Sequence, residues 1–249
     1  MKIKRKIVNS LLKNIEDSYI GKDNASNLNK WVKENLENLQ SGLTLLDVGA
    51  GSAPYKKYCD HLNYMSHDFG EYEAGGDGTG LQKKTDVYDS FDLISDITSI
   101  ELKDESVDIV LCTEVLEHIP DPIRAISEMT RILKVGGQII ITTPFNSVTH
   151  WSPFFFFPGI SPNFYEEHLK EKYEITKLHH SGDYFSYIAQ EIRRLPSVNN
   201  RYTTHKTSFI FEVAQRIILR GLNKMKDADT KSKELLCYGI FVMAKKIKS

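Results

Sequence analysis

The chain has 249 residues, of which 41% are apolar and 26% charged, with a formal net charge of −1 and an isoelectric point near 6.7. That length holds one large α/β domain, or one domain with a cap, around a sizeable core. The near-neutral charge excludes a broadly basic nucleic-acid surface, and no apolar run approaches the ~20 residues needed to span a bilayer.

The basic start Met1-Lys2-Ile3-Lys4-Arg5-Lys6 leads into a polar-studded segment instead of a signal core, so a cytoplasmic protein is expected. Cys59, Cys112 and Cys237 have no metal-ligand spacing and read as reduced packing thiols. Ile7, Leu11, Leu12 and Ile15 fall on one helical face, and Leu28, Trp31, Val32, Leu36 and Leu39 on another. Helices over 7–20 and 26–39 are therefore expected, forming an N-terminal helical lid within residues 1–40 ahead of a main domain at 41–249.

Leu45-Leu46-Asp47-Val48 reads as a buried strand that breaks into the turn Gly49-Ala50-Gly51 and a short helix from Pro54 to Leu62. A second strand ends at His67-Asp68. The glycine-rich, charged stretch 69–89 has no helical period and reads as a long loop where a βαβ unit usually has a helix. Phe91–Ser95, Val107–Cys112 and Gln138–Thr143 are β-branched apolar runs of buried parallel strands. Between the last two lies a helix with Asp121 as N-cap, Pro122 at its first position, an inward stripe of Ile123, Ile126, Met129 and Leu133, and a stop at Gly136-Gly137. Alternating strands and helices over some hundred residues give an α/β, doubly wound, Rossmann-like sheet with helices on both faces. Downstream, a helix near Asn163–Lys172, a strand near Tyr173–His179, a helix Tyr184–Leu195, a polar linker Ser197–Thr207, a helix Phe209–Met225 and a closing strand Leu235–Ala244 are expected. Substrate-side elements should fall within 146–230.

The chemistry is written at the strand ends, where ligands of doubly wound sheets bind. Asp47 closes the first strand, Asp68 the second and Asp96 the third, with Thr113 and Glu114 after the fourth. An acid at the second strand can accept both hydroxyls of a ribose and would repel a 2′-phosphate. Asp96 can accept from an adenine amino group while Ile97 packs on the ring. A nicotinamide enzyme would need a third glycine and amides for a pyrophosphate, but Pro54 stands at that third position without an N–H. A non-catalytic partner-binding protein, docking through the amphipathic segment Phe209–Arg220, is the other alternative.

Leu45-Leu46-Asp47-Val48-Gly49-Ala50-Gly51, Asp68, Ser95-Asp96-Ile97, Ser106–Val110, Cys112–Pro122 and Leu133-Lys134-Val135-Gly136-Gly137 occur in one order and spacing. In this the chain resembles the class I S-adenosylmethionine-dependent methyltransferases, in the methyltransferase type 11 group, over roughly residues 43–145. The resemblance implies a seven-stranded sheet, six strands parallel and the last antiparallel, with S-adenosylmethionine as cofactor. It further implies that Gly49, Ala50 and Gly51 approach the methionine half of the cofactor with Asp47 beside them. Asp68 would hold the ribose, Asp96 and Ile97 the adenine, and Thr113 and Glu114 the methyl and methionine end. A second, looser similarity of Thr143-Pro144-Phe145, Thr149-His150 and Tyr184-Phe185-Ser186-Tyr187 is to methyltransferases near surface-polysaccharide functions.

Methyl transfer from a sulfonium is an in-line displacement that depends on positioning and water exclusion, and an oxygen acceptor can also need a base. The Asn/Asp-Pro-Pro-Tyr/Phe motif of many amino-group methyltransferases is missing, which favours an oxygen of a small-molecule acceptor, such as a sugar or surface-polysaccharide intermediate, with a quinone precursor or other metabolite as the alternative. His118 and His150 are the catalytic candidates, ahead of His179 and His180. Glu114, Glu117 and His118 share one face if helical, and Glu-x-x-Glu-His is similar to a metal-binding stretch of some quinone-pathway O-methyltransferases. The reading adopted is that they anchor the loop after strand four with no resident metal. The acceptor is expected against His150, Trp151, Phe154–Phe157, Tyr165, His168, Tyr184 and Tyr187. A homodimer is possible in this arrangement, and no nucleic-acid partner is expected.

Overall fold

The computed structural model describes residues 19–71, 77–81 and 90–249. The expected helix at 7–20 and most of the loop 69–89 therefore lie outside the described residues. The chain forms two compact units, one from residues up to Asn27 with Gly182–Tyr238, the other from Leu28–Ser181 with Gly239–Ser249.

The larger unit is built on strands β1 (Thr44–Val48), β2 (Asn63–Asp68), β3 (Leu93–Ile94), β4 (Val107–Thr113), β5 (Leu133–Pro144), β6 (Tyr173–Ser181) and β7 (Gly239–Lys246). They form one seven-stranded sheet in the order β3-β2-β1-β4-β5-β7-β6. Only β7 runs antiparallel to its neighbours, so six strands point one way, as expected. The strand order reverses between β1 and β4, the point where such sheets open a crevice beyond their carboxyl ends. Successive side chains of a strand face opposite ways. Leu45, Ile109, Leu111 and Ile140 accordingly pack under the apolar side of α1 (Asn24–Glu37), whose Val32 and Leu36 are fully buried. This helix covers a sheet face, with Trp31 5.3 Å from the Phe241 ring.

Asp121 caps α2 (Pro122–Ile132) as anticipated, accepting from the Arg124 N–H at 3.0 Å with Pro122 in the first turn. Two details differ from expectation. Ile123 is 49% exposed, the buried side being Ala125, Ile126, Met129 and Ile132. The helix also stops at Ile132, and β5 begins at once with Leu133 in extended geometry. Gly136-Gly137 form an irregularity within β5 rather than the helix stop: Gly136 has φ +86°, and a Cβ on Gly137 would come 2.7 Å from the Asp108 carbonyl oxygen.

The segment after the glycine turn is not the helix expected at Pro54–Leu62. It is a chain of i→i−3 bonds, Tyr58 to Tyr55, Cys59 to Lys56 and Leu62 to Cys59, with one 3₁₀ turn at Lys56–Tyr58. The third strand is two residues of the expected five, since β3 is the sheet edge with pairing on one side only. α3 (Pro162–Leu169) ends a turn early.

The smaller unit holds α4 (Tyr184–Tyr202) and α5 (Phe209–Asp227), capped by Asp183 and Ser208 and packed through Ile20, Ala189 and Leu219. α4 continues through Pro196 where a linker was expected. Proline removes the helical donor to the Ile192 carbonyl, and the Gln215 side-chain amide supplies that bond at 2.6 Å. Among the described residues no helix is long and apolar enough to cross a membrane.

Candidate cofactor and acceptor site

The glycine turn at the end of β1 is locked by its own amides. The N–H groups of Gly49 and Ala50 both donate to the His67 carbonyl, at 2.8 and 2.9 Å, and that of Ala53 to the Ala50 carbonyl at 2.7 Å. The Gly51 N–H donates to Asp68 Oδ2 at 3.1 Å. With these four donors spent and Pro54 lacking one, the turn has no nest of open amides for a pyrophosphate. Gly49 is required twice over, by its φ of +72° and because a Cβ would fall 2.5 Å from Val115 Cγ2. The loop after β4 thus rests directly on the turn.

Asp68 is held at the end of β2 by the amides of Gly51 and Gly70, each at 3.1 Å and each on a different oxygen. A carboxylate oxygen has two lone pairs, so both oxygens retain an acceptor direction for a cis-diol. Asp96 is exposed at the end of β3, its Oδ1 taking the Thr98 N–H and hydroxyl at 2.7 Å each, which hold its carboxyl below the usual range. Ile97 is buried within the protein. Asp47 lies beneath the turn, 1% exposed, and accepts from the Tyr64 hydroxyl at 2.6 Å. Burial raises its pKa to about 7, against the pull of the Tyr64 bond. A carboxylate with acceptor directions to spare, beside a turn whose amides are spent, suits a diol better than a pyrophosphate.

Across the switch point, β4 ends at Thr113, and Glu114 turns the chain with φ +55° while its N–H donates to the Thr142 carbonyl at 2.9 Å. Burial raises the Glu114 pKa to about 7. The 3₁₀ turn Leu116–His118 follows. Glu117 is 1% exposed with neither carboxylate oxygen hydrogen-bonded, and its pKa is pushed well up by burial and the Glu114 charge. His118 Nδ1 meets the Phe154 carbonyl at 2.5 Å, its Nε2 is 3.7 Å from Glu117 Oε1, and burial beside His150 lowers its pKa to about 4.

His150 comes from the segment after β5. Its ring stands edge-on to that of His118, with centroids 4.8 Å apart, and Phe155 and Trp151 close the group. The aromatic block wraps the turn, the N–H groups of Phe156 and Phe157 donating to the Glu117 carbonyl at 3.0 and 3.1 Å. The described piece of the glycine-rich stretch fastens this segment from outside. Leu81 donates to the Thr149 carbonyl at 2.8 Å, and the Ser152 hydroxyl to Asp77 at 2.8 Å.

The structure thus brings Glu117, His118, His150, Trp151 and Phe155 together at the ends of β4 and β5. It does not bring Tyr165, whose fully buried hydroxyl bonds Thr143 at 2.7 Å and so serves packing. His179 and His180 sit on the edge strand β6, and Tyr184 and Tyr187 belong to the smaller unit. A groove of about 750 Å³ lined by Asn35, Asp108, Lys134, Lys177 and Lys245 lies at the starts of β4 and β5, away from this chemistry. Sequence reading missed Val115 as the wall of the turn and Tyr64 as partner of Asp47. It singled out Glu117 as part of a possible helical face but not the burial of its carboxylate without a hydrogen-bond partner.

Residues 46–141 match the family described as Methyltransferase domain. Among curated relatives, the ubiquinone biosynthesis O-methyltransferase of Hydrogenovibrio crunogenus is 30% identical over 113 residues, 40% of this chain and 42% of that protein. The protein of the same name from Pseudomonas fluorescens is 31% identical over 115 residues, 45% of this chain and 48% of that one. The chain therefore spans less than half the length of these relatives. Among solved structures, a chain of the complex between the Haloferax volcanii Trm112 methyltransferase activator and a methyltransferase superposes with a TM-score of 0.55 at 15% identity, covering 92% of each chain. A SAM-dependent methyltransferase from Archaeoglobus fulgidus gives 0.51 at 16% identity, covering 87% of this chain and 94% of that one. Sheet order, the spent amides of the glycine turn and the family match agree: residues 46–141 are similar to the Methyltransferase domain family and lie in a seven-stranded sheet, six strands parallel, of the kind that the resemblance to class I S-adenosylmethionine-dependent methyltransferases implies.

Proposed function

We propose that this chain transfers a methyl group from S-adenosylmethionine to an oxygen of a small-molecule acceptor. The observation that carries the reading is the pairing, along the carboxyl end of one sheet, of a carboxylate suited to a ribose with an aromatic-walled histidine group. Asp68 is the residue that would hold the ribose and Asp96 the adenine; Gly49, Ala50 and Gly51 would let the backbone run close to the methionine half, with Thr113 and Glu114 beside it. The bound cofactor supplies an electrophilic methyl on a sulfonium. The chain's own part is to orient the acceptor, exclude water and lower the barrier to losing the acceptor's proton. A His118 held neutral, beside His150 and under Trp151 and Phe155, suits that part because an imidazole without its proton can accept one.

Flat aromatic faces pack on sugar rings, so a sugar or surface-polysaccharide intermediate is the acceptor class proposed first. A phenolic quinone precursor is the second reading, favoured by the names of the curated relatives. A screen with methyl-labelled S-adenosylmethionine against nucleotide sugars, dihydroxybenzoate-type phenols, small peptides and tRNA tests the proposal. Label in a sugar supports the first reading and label in a phenol the second. Label only in peptide or tRNA refutes a small-molecule acceptor.

A further inference from the structure

Glu117, His118 and His150 form a group whose donor atoms all lie within 4.8 Å of one another. Each member is prepared in the same direction. The Nδ1 of His118 faces the Phe154 carbonyl at 2.5 Å and that of His150 the Val148 carbonyl at 2.9 Å. A ring nitrogen facing a carbonyl must carry the proton, so each ring keeps its lone pair on Nε2. Histidine ligands of metals are fixed in this way, with the second nitrogen donating to a backbone carbonyl or carboxylate. Glu117 adds an independent sign: its carboxylate is 1% exposed and neither oxygen has a hydrogen-bond partner. A buried, unpartnered carboxylate calls for an unseen cation or water.

We infer that Glu117, His118 and His150 bind a divalent transition-metal ion. Donors ~2.1 Å from an ion can stand up to ~4.2 Å apart, so side-chain adjustments of a few tenths of an ångström close the set. The ligand set differs from the Glu114, Glu117, His118 face suggested by sequence spacing. The chain does not continue as a regular helix through Glu114, which has φ +55°, and the third donor arrives instead from the segment after β5. It also differs from the expectation that these residues only anchor a loop. Two imidazoles and one carboxylate suit manganese, iron or zinc, whereas magnesium favours an all-oxygen shell. Three protein donors leave open positions on the ion for an acceptor oxygen, whose proton the ion would then acidify, since Nε2 of each ring is spent on the metal and neither imidazole can also serve as the base. That last point rests on the proposed acceptor site, but the metal site can be measured without cofactor or acceptor.

The test is calorimetric titration of the chelator-treated, dialysed full chain with manganese chloride, with zinc sulfate and with magnesium chloride. One ion per chain is expected, with His150→Ala and Glu117→Gln each weakening binding more than tenfold and Glu114→Gln leaving it within twofold. Circular dichroism and thermal melting check that each variant is folded, and His150→Gln serves if Glu117→Gln is not. Absence of saturable binding, wild-type affinity in folded His150 variants, or preference for magnesium over manganese overturns the inference. Loss of labelled transfer with metal binding intact would instead count against the proposed acceptor.

Discussion

Gly49→Ala is the sharpest test of how the glycine turn is built. Alanine at φ +72° is in the left-handed region, which costs a residue with a Cβ roughly 1–2 kcal/mol. Its methyl would also lie 2.5 Å from Val115 Cγ2 and 2.9 Å from Cγ1, both attached to a Cβ in a tightly held turn. Overpacking of that kind typically adds about 1–3 kcal/mol. Loss of glycine's freedom in the unfolded chain returns about 0.4–1 kcal/mol, leaving a net destabilisation of about 1–5 kcal/mol. Urea denaturation of the wild type, Gly49→Ala, Val115→Ala and the double variant measures it. The midpoint should fall in Gly49→Ala with an unchanged slope. Val115→Ala should cost less in the Gly49→Ala background than alone, because it removes the clash but not the backbone strain. Equal stability of Gly49→Ala and wild type, or strict additivity of the two changes, would refute this account of the turn.

Other outcomes follow from the same geometry. Asp47 has a folded-state pKa of about 7 against an ordinary 3.8, so between these values the folded chain keeps a proton that the unfolded chain releases. The stability tied to it is fully present below about pH 4 and lost as the pH rises through 7, by up to about 4 kcal/mol at 1.36 kcal/mol per pH unit. Asp47→Asn, which keeps an acceptor for Tyr64, should flatten the fall in urea midpoint between pH 5 and 8; parallel curves contradict the burial argument. Tyr165→Phe should cost about 1 kcal/mol through the unpaired Thr143 hydroxyl and leave methyl transfer unchanged, whereas lost transfer would return Tyr165 to the acceptor. Gln215→Ala uncovers the Ile192 carbonyl opposite Pro196 and should lower the melting temperature of a chain that otherwise binds cofactor normally.

The sheet could be read from sequence because its signals are local and redundant. Leu45–Val48, Val107–Cys112 and Gln138–Thr143 are continuous apolar runs, and Asp121-Pro122 marks a helix start by a bond that the structure contains. What was misread depends on partners distant in sequence. Gly136-Gly137 looks like a helix stop until β4 lies alongside it and makes it a strand irregularity. Pro196 looks like a terminator until Gln215 supplies the missing bond. At the site, the acids were legible because each ends a strand, but the meeting of His118 with His150 was not, since 32 positions of chain and all of β5 separate them.

The central claim is that the turn after β1 and the carboxylate after β2 hold S-adenosylmethionine, and calorimetry on the full chain with wild-type protein and Asp68→Ala tests it most directly. Loss of a charge-assisted hydrogen bond costs about 1.5–3 kcal/mol, so Asp68→Ala should weaken S-adenosylmethionine binding by roughly tenfold or more while the melting transition stays cooperative. NADH should not bind either protein. Undiminished S-adenosylmethionine binding in Asp68→Ala, or saturable binding of NADH to the wild type, would contradict the account.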